Sequence, residues 1–253
     1  MVTLGPHASR TLIFIPAWNE EGSIARVVQG VRQAFPETDI LVIDDGSQDN
    51  TAVVARAAGA LVAIHPANLG IGPARRTGYI FALRGGYERI AHCDADGQHT
   101  PESIQRLLRA VQDDECDLAI GSRFLEPPAS NDGDAYVPSA MRSIGIRLFR
   151  RIVSLVTRQR FTDCTSGLYA ANRTVIQQFA LGPTNIDYPE LENIVRTVRN
   201  GFRVKEYPVT MHRRIAGTSS IAPVKTFFYV FNGVISIFAA SLRASEHAPD
   251  TRQ

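Results

Sequence analysis

No cysteine pairing, no long apolar leader and no strong excess of either charge marks this chain of 253 residues. Cys93, Cys116 and Cys164 are its 3 cysteines, an odd number for disulfides and without the paired spacing that zinc sites need. They read as buried thiols in a reducing compartment. Residues 1–10 contain Gly, Pro and His but no apolar core, so an N-terminal tail and no secretory leader are expected. A net charge of +2 is too small to argue for nucleic acid as a partner. No internal repeat is visible. What is present is an ordinary globular composition, 44% apolar and 21% charged, long enough for one large domain with a full core. Arginine alone is unevenly placed, with Arg142, Arg147, Arg150, Arg151, Arg158 and Arg160 crowded into one stretch.

Strand-like and helix-like patterns alternate through the first half. Strands are expected at 11–16, 40–43, 61–64, 87–93 and 118–120, and helices at 20–35, from Asp49 or Asn50 to Ala58, at 73–83, and after Pro101-Glu102. That order predicts an α/β fold with a mainly parallel sheet flanked by helices. Polar residues follow the strands, at Asn19-Glu20, Asp44-Asp45 and Asp94-Asp96, which puts them on one rim, where open α/β sheets bind ligands. Residues 126–137 read as a loop, and 139–160 as a helix with Ile144, Leu148, Ile152, Leu155 and Val156 on its apolar stripe.

Asp94-Ala95-Asp96-Gly97-Gln98-His99 carries the sharpest chemistry. Two hard carboxylates with an amide beside them suit Mg²⁺ or Mn²⁺, which take one or two carboxylates plus substrate phosphates. The substrate implied is a nucleotide diphosphate. The same residues also read as turn formers or helix caps, and the motif alone does not separate the two. Asn68-Leu69-Gly70-Ile71-Gly72-Pro73-Ala74-Arg75-Arg76 is glycine-rich and opens a helix, but its spacing is not the dinucleotide fingerprint. For Arg75 and Arg76 a solvated helix face is the competing reading.

Taken in order, Pro16-Ala17-Trp18-Asn19-Glu20-Glu21, Asp44-Asp45-Gly46-Ser47, the glycine-rich stretch, Asp94–His99, Gly121-Ser122-Arg123, Asp163-Cys164-Thr165-Ser166-Gly167, Tyr188-Pro189-Glu190-Leu191-Glu192 and Arg214-Ile215-Ala216-Gly217-Thr218-Ser219 resemble the motifs of family-2 glycosyltransferases. Within that family the likeness is to dolichyl-phosphate mannose synthases and bacterial polyprenyl-phosphate sugar transferases, and it runs over residues 11–221. It implies the nucleotide-sugar transferase type A fold, with nucleotide-binding residues 11–123 and acceptor-side residues 124–221. It also implies inverting, metal-dependent transfer of a mannose- or glucose-like hexose from a GDP- or UDP-linked sugar to polyprenyl phosphate. Pro16, Ala17, Asn19, Glu20, Asp44, Asp45, Gly72, Arg75, Asp94, Ala95 and Asp96 would then hold the nucleotide sugar. Asp96, with Asp94 and Gln98, would hold Mg²⁺ or Mn²⁺. Arg123 and Arg214 would bind phosphate, and Asp163 would orient or deprotonate the acceptor. Ser166, Glu190, Glu192 and Ser219 would shape the acceptor or phosphate site, with Glu190 and Glu192 as alternative bases. The family often has lysine where Ile71 and Ser220 stand.

Residues 222–242 are apolar and aromatic but interrupted by Lys225, Asn232 and Ser236. A helix in the membrane interface or against a partner, a core helix and a membrane span all remain open. Together with the arginine-bearing helix at 139–160, this segment favours a peripheral place on the cytoplasmic side of a membrane, aided by a small membrane partner or a second copy of the chain; as a core helix it would leave a cytoplasmic protein. Residues after 243 read as a disordered tail. A transferase using a hydroxyl acceptor, and a nucleotide-sugar-binding protein without turnover, are the competing functions.

Overall fold

The computed structural model describes residues 11–125, 140–182, 189–212, 233–235 and 237. The tails at 1–10 and 244–253, the loop at 126–137, Arg214, Ser219 and nearly all of 222–242 lie outside the described residues.

Strand β1 (Thr11–Ala17) is buried along its whole length, as a central strand covered on both faces must be. The chain continues through α1 (Ile24–Ala34), β2 (Asp39–Asp44), α2 (Thr51–Ala57), β3 (Leu61–Ile64), α3 (Ile71–Arg84), β4 (Arg89–His92), α4 (Pro101–Gln112) and β5 (Leu118–Ser122). It ends with α5 (Ala140–Thr157), β6 (Tyr169–Asn172), α6 (Arg173–Leu181), α7 (Pro189–Arg199) and β7 (Val204–Pro208). Alternation along the strands splits the core in two. Leu12, Phe14, Leu41 and Ile43 face Tyr79, Phe149 and Phe179 on one side, while Ile13, Ile15, Ile40 and Val42 face Ile24, Val28, Ile104 and Leu107 on the other. All three cysteines are free and buried, and burial raises each thiol pKa.

The seven strands follow the order β3-β2-β1-β4-β6-β5-β7. β2, β1 and β4 pair in parallel, as do β2 with β3 and β5 with β7. β6 runs antiparallel to both β4 and β5. The sheet is mainly parallel, as expected, and is mixed because β6 runs antiparallel to both of its neighbours.

Helix boundaries follow local chemistry. Thr100 Oγ1 accepts from Ser103 N at 3.2 Å with proline at the start of α4, a strong N-terminal signal. Asn50 makes no side-chain cap on α2; Asp49 Oδ1 instead accepts from Thr51 N at 3.0 Å. α1 begins at Ile24, after a turn, and not at Glu20. The larger correction falls on α5. Ile146, Phe149 and Val153 are its buried positions, with Ile152 and Val156 partly buried against the core. Ile144, Leu148 and Leu155, expected on the packed stripe, are exposed at 61%, 39% and 80%. The helix carries apolar residues on more than one face, so period alone did not choose the inner one.

A polar clip secures the β5 and β7 edge. Asp117 accepts from Arg203 N (2.7 Å), Nε (3.2 Å) and Nη2 (3.0 Å), and from Asn172 Nδ2 (2.9 Å). Burial works to raise the Asp117 pKa, but these hydrogen bonds outweigh it and lower it. The clip thus adds stability above the unfolded carboxyl pKa, about 3.9, and that contribution fades as pH falls through the lower folded value. Asp117→Ala should cost about 2 kcal/mol in urea unfolding at pH 7, and the deficit should shrink below pH 4. An equal deficit at pH 3 and pH 7 would refute the charged clip.

Candidate active site

The ends of β1, β2, β3, β4, β5 and β7 share one rim of the sheet. Because β6 is antiparallel, its first residue, Tyr169, sits beside the last residue of β4, His92. The loop carrying Asp163, Ser166 and Gly167 therefore meets the loop carrying Asp94 and Asp96. From β1 the chain moves outward to β2 and β3, then returns to β4 on the opposite side of β1. That reversal opens a crevice between the β1 and β4 ends, where such folds bind nucleotides.

The nucleoside-side residues are held by one another. Pro16 and Ala17 are buried at the end of β1, and Asn19 follows in a left-handed conformation, φ 53°. Asn19 N donates to Ser47 Oγ (2.9 Å), and Asn19 Oδ1 accepts from Gln48 N (2.8 Å). Glu20 N donates to Thr51 Oγ1 at 2.8 Å. Asp44 Oδ1 accepts from Ser47 N at 3.1 Å, closing a turn. Asp45 is buried and accepts from Leu69 N (3.1 Å) and Gly70 N (2.8 Å), with His65 Nδ1 at 2.6 Å. Asp44 and Asp45 thus act as turn and loop clamps, and Asp45 ties the glycine-rich stretch to β2. Gly72 is buried in the first turn of α3.

Asp94 and Asp96 differ in setting. Asp94 keeps 34% of its side chain open to solvent, whereas Asp96 is 3% exposed and caps Gln98 N through Oδ1 at 3.0 Å. Gln98 Nε2 donates to His212 O (3.0 Å), and His212 N returns a bond to Gln98 O. His99 packs beneath the loop: its Nδ1 accepts from Asp94 N (3.1 Å), and its Nε2 lies 3.2 Å from Ser166 O. Enclosure by protein raises the Asp94 pKa; His99 opposes this, Asp96 adds to it, Arg75 opposes and Glu190 adds. Among the described residues no group of three or more His, Cys, Asp or Glu side chains could hold a metal unaided. The donor set instead fits a cation that takes one or two carboxylates and completes its shell with substrate phosphates and water. Such a cation would also relieve the crowding of negative charge around Asp94.

Among the described residues, three ion pairs involve the acceptor-side candidates. Arg123 and Asp163 pair bidentately, Nε to Oδ2 at 2.6 Å and Nη2 to Oδ1 at 2.8 Å, with Asp163 fully buried. Asp163 Oδ1 also accepts from Thr165 N at 3.1 Å, closing an Asx-turn. Glu206 of β7 accepts from the backbone N–H groups of Thr162 (2.7 Å) and Asp163 (2.6 Å) and fixes this loop from below. Arg75 is not on a solvated face: it is 2% exposed, with Nη1 2.6 Å from Glu190 Oε1. Arg76 is exposed. Ser166 is buried, and among the described residues its hydroxyl has no hydrogen-bond partner. Glu192 is buried and faces Arg196, its Oε1 3.9 Å from Nη1.

Sequence reasoning passed over His65, His92 and Glu206. His92 lies within an apolar strand pattern, and Glu206 in an ordinary alternating strand, so neither spacing nor neighbours flagged them. His65 precedes the glycine-rich stretch, which was its only cue.

Two glycines are required by their surroundings. Gly46 has φ 70°, and a Cβ there would overlap the Ala67 backbone. Gly167 has φ 76°, and a Cβ would lie 3.1 Å from Asp94 Oδ2 and 3.6 Å from Arg75 Nη2. Gly167→Ala should therefore destabilise the fold by about 1–3 kcal/mol and lower turnover by displacing Asp94. Wild-type thermal stability together with wild-type kinetics would contradict this packing.

Residues 12–178 match the family described as Glycosyl transferase family 2. The chain belongs to that family and is a glycosyltransferase. It is 33% identical over 230 residues to polyprenol monophosphomannose synthase of Mycolicibacterium smegmatis, covering 84% of this chain and 81% of that protein. It is 32% identical over 221 residues to undecaprenyl-phosphate mannosyltransferase of Micrococcus luteus, covering 84% and 88%. The fold is that of glucosyl-3-phosphoglycerate synthase from Mycobacterium tuberculosis, crystallised with Mn²⁺, UDP and phosphoglyceric acid. Its TM-score is 0.69 at 18% identity, over 96% of this chain and 81% of that one. The α/β architecture is thus of the nucleotide-sugar transferase type A kind.

Proposed function

We propose that this enzyme transfers a hexose, mannose or a glucose-like sugar, from a GDP- or UDP-linked donor to a polyprenyl phosphate, with inversion at the anomeric carbon. The observation that carries this reading is the similarity, over more than four-fifths of the chain, to two proteins named for transfer of mannose to polyprenyl phosphates. In the reaction the bond from the anomeric carbon to the donor phosphate breaks, and its electron pair leaves with the nucleoside diphosphate. An acceptor phosphate oxygen forms the new bond from the opposite face. Asp94 and Asp96, with Gln98 beside them, would hold Mg²⁺ or Mn²⁺, which neutralises charge on the departing diphosphate. Asn19, Glu20 and the Asp45-clamped loop bound the nucleoside end of the crevice. A phosphate acceptor is already ionised at neutral pH, so positioning matters more than a general base. Asp163, bound on both oxygens by Arg123, is suited to holding Arg123 in place, and an arginine fork matches phosphate oxygens.

The outer face of α5 supports a membrane-resident acceptor. Ile144, Leu148 and Leu155 are exposed there among exposed Arg147, Arg151 and Arg158, and α5 contains no acidic residue. An apolar and cationic helix face of this kind fits the interface of an anionic bilayer. Among the described residues no helix is long and apolar enough to cross a membrane.

Purified enzyme given nucleotide sugars, Mn²⁺ and polyprenyl phosphate should form a glycolipid, and Asp96→Ala should lower turnover by on the order of 10²-fold or more. Products formed only with hydroxyl acceptors would overturn the lipid assignment, and nucleotide-sugar binding without release would overturn turnover itself. On the membrane side, the enzyme should sediment with phosphatidylglycerol vesicles and not with phosphatidylcholine vesicles. The variant carrying Arg151→Glu and Leu155→Asp should lose on the order of tenfold or more in vesicle affinity, since each nearby basic residue contributes about 1 kcal/mol. Unchanged sedimentation of that variant would remove α5 from the membrane contact.

A further inference from the structure

We propose that Arg75 is a positioning residue: a buried cation that sets Asp94, from the donor side, and Glu190, from the acceptor side, on one wall of the active site. Arg75 stands on α3, just past the glycine-rich stretch, and is among the largest fully buried side chains of the molecule. Two of its nitrogens engage two different elements, and the third lies near the Gly167–Asp94 contact. Nη1 approaches Glu190 Oε1, at the start of α7, to 2.6 Å, although the angle is too poor for a directed hydrogen bond. Nε donates to His92 Nε2 of β4 at 3.1 Å. Nη2 borders the Cβ position of Gly167 at 3.6 Å, a point from which Asp94 Oδ2 is 3.1 Å away.

His92 makes this placement rigid. Its Nδ1 bonds to Gly167 O, so Nε2 is left to accept from Arg75, and the ring is neutral. Tyr169 stacks on the imidazole with ring centroids 5.0 Å apart and planes 9° apart, and the Arg75 guanidinium lies 5.9 Å from the same Tyr169 ring. Burial opposes the charge on Arg75, but Glu190 foremost, then Tyr169, Tyr79 and Asp94, raise its pKa. The guanidinium is therefore a fixed positive charge between carboxylates that stay partly open, Glu190 at 23% and Asp94 at 34%.

A buried ion pair is weak as a source of stability, since desolvation cancels most of the attraction and apolar replacements are often neutral. A guanidinium placed between two partly open carboxylates is better explained by what it orients. Without it, Glu190 and Asp94 would repel, and the metal-side and acceptor-side loops would lose their common anchor. Partners that orient metal ligands in this way typically contribute about 10- to 100-fold in metal affinity or activity.

The inference rests on the proposed metal-dependent transfer for its purpose, but its test does not need the acceptor to be polyprenyl phosphate. The variants are Arg75→Met, Arg75→Lys, Glu190→Gln and the double variant of Arg75→Met with Glu190→Gln. Mn²⁺ affinity is read by electron paramagnetic resonance in the presence of nucleoside diphosphate, and nucleoside diphosphate affinity by calorimetry without metal. In Arg75→Met, Mn²⁺ should bind about tenfold more weakly and nucleotide affinity without metal should stay within about twofold. Arg75→Lys should recover part of the loss. Effects of Arg75→Met and Glu190→Gln on kcat should be strongly non-additive in the double variant, with KM for the nucleotide sugar little changed. Unchanged Mn²⁺ affinity in folded Arg75→Met or, should that variant not fold, in Arg75→Lys, would overturn the proposal. So would a large loss of metal-free nucleotide affinity, which would make Arg75 a nucleotide ligand. Failure of the wild-type enzyme to glycosylate polyprenyl phosphate would refute only the acceptor assignment, because the Mn²⁺ measurement stands without it.

Discussion

Because β6 runs against β4 and β5, a loop from the second half of the chain is delivered to the rim where the parallel strands end. The pairing of His92 with Tyr169 is the contact through which this happens, and other features of the site follow from it. It puts Gly167 against Asp94, where an added Cβ would lie 3.1 Å from Oδ2, and brings the Gly167 carbonyl to the His92 ring. Were β6 parallel to β4, its start would lie at the opposite rim, and Asp163 and Ser166 would be a strand's length from the crevice. A single strand reversal therefore joins donor-side and acceptor-side loops.

The fold class and the chemistry-bearing loops were legible because both are local. Apolar strand runs punctuated by Asn19-Glu20, Asp44-Asp45 and Asp94-Asp96 report a rim directly, since parallel strand ends must share one side. What was not legible depends on partners far apart in sequence. Arg75 and Glu190 are brought together only by packing α3 and α7 on the same side of the sheet, so Arg75 read as a nucleotide ligand or a solvated helix residue and not as the partner of Glu190. His92 looked like one more strand position. The α5 stripe failed for a different reason. With Ile144, Leu148 and Leu155 on one face and Ile146, Phe149 and Val153 on another, the helix offers two apolar faces, and only the shape of the core selects between them.

The two faces of α5 also explain how one helix could serve both core and surface. Phe149 and Val153 are buried in the same core as Leu191 and Ile194 of α7, so the inner face is committed to the fold. The outer face retains large apolar side chains that burial inside the protein would have used. Their cost in water is tolerable in isolation, but spaced along one helix among arginines they form a surface whose character matches a lipid headgroup boundary more closely than bulk water.

The pairing of Arg123 with Asp163 bears on the chemistry in a similar way. Residues expected to act separately, one on phosphate and one on an acceptor proton, are instead partners in a single enclosed bidentate contact. A general base must reach the proton it removes, yet Asp163 is 0% exposed and both its oxygens are taken by Arg123. Loss of activity on removing Asp163 would therefore not identify a base, because it would also break a buried ion pair, itself a severe perturbation of about 3–5 kcal/mol. An acceptor that arrives without a proton to remove makes no demand on Asp163 beyond keeping Arg123 aligned. The geometry thus argues against Asp163 as a base and leaves Glu190, 23% exposed, as the carboxylate that a hydroxyl acceptor would have to use.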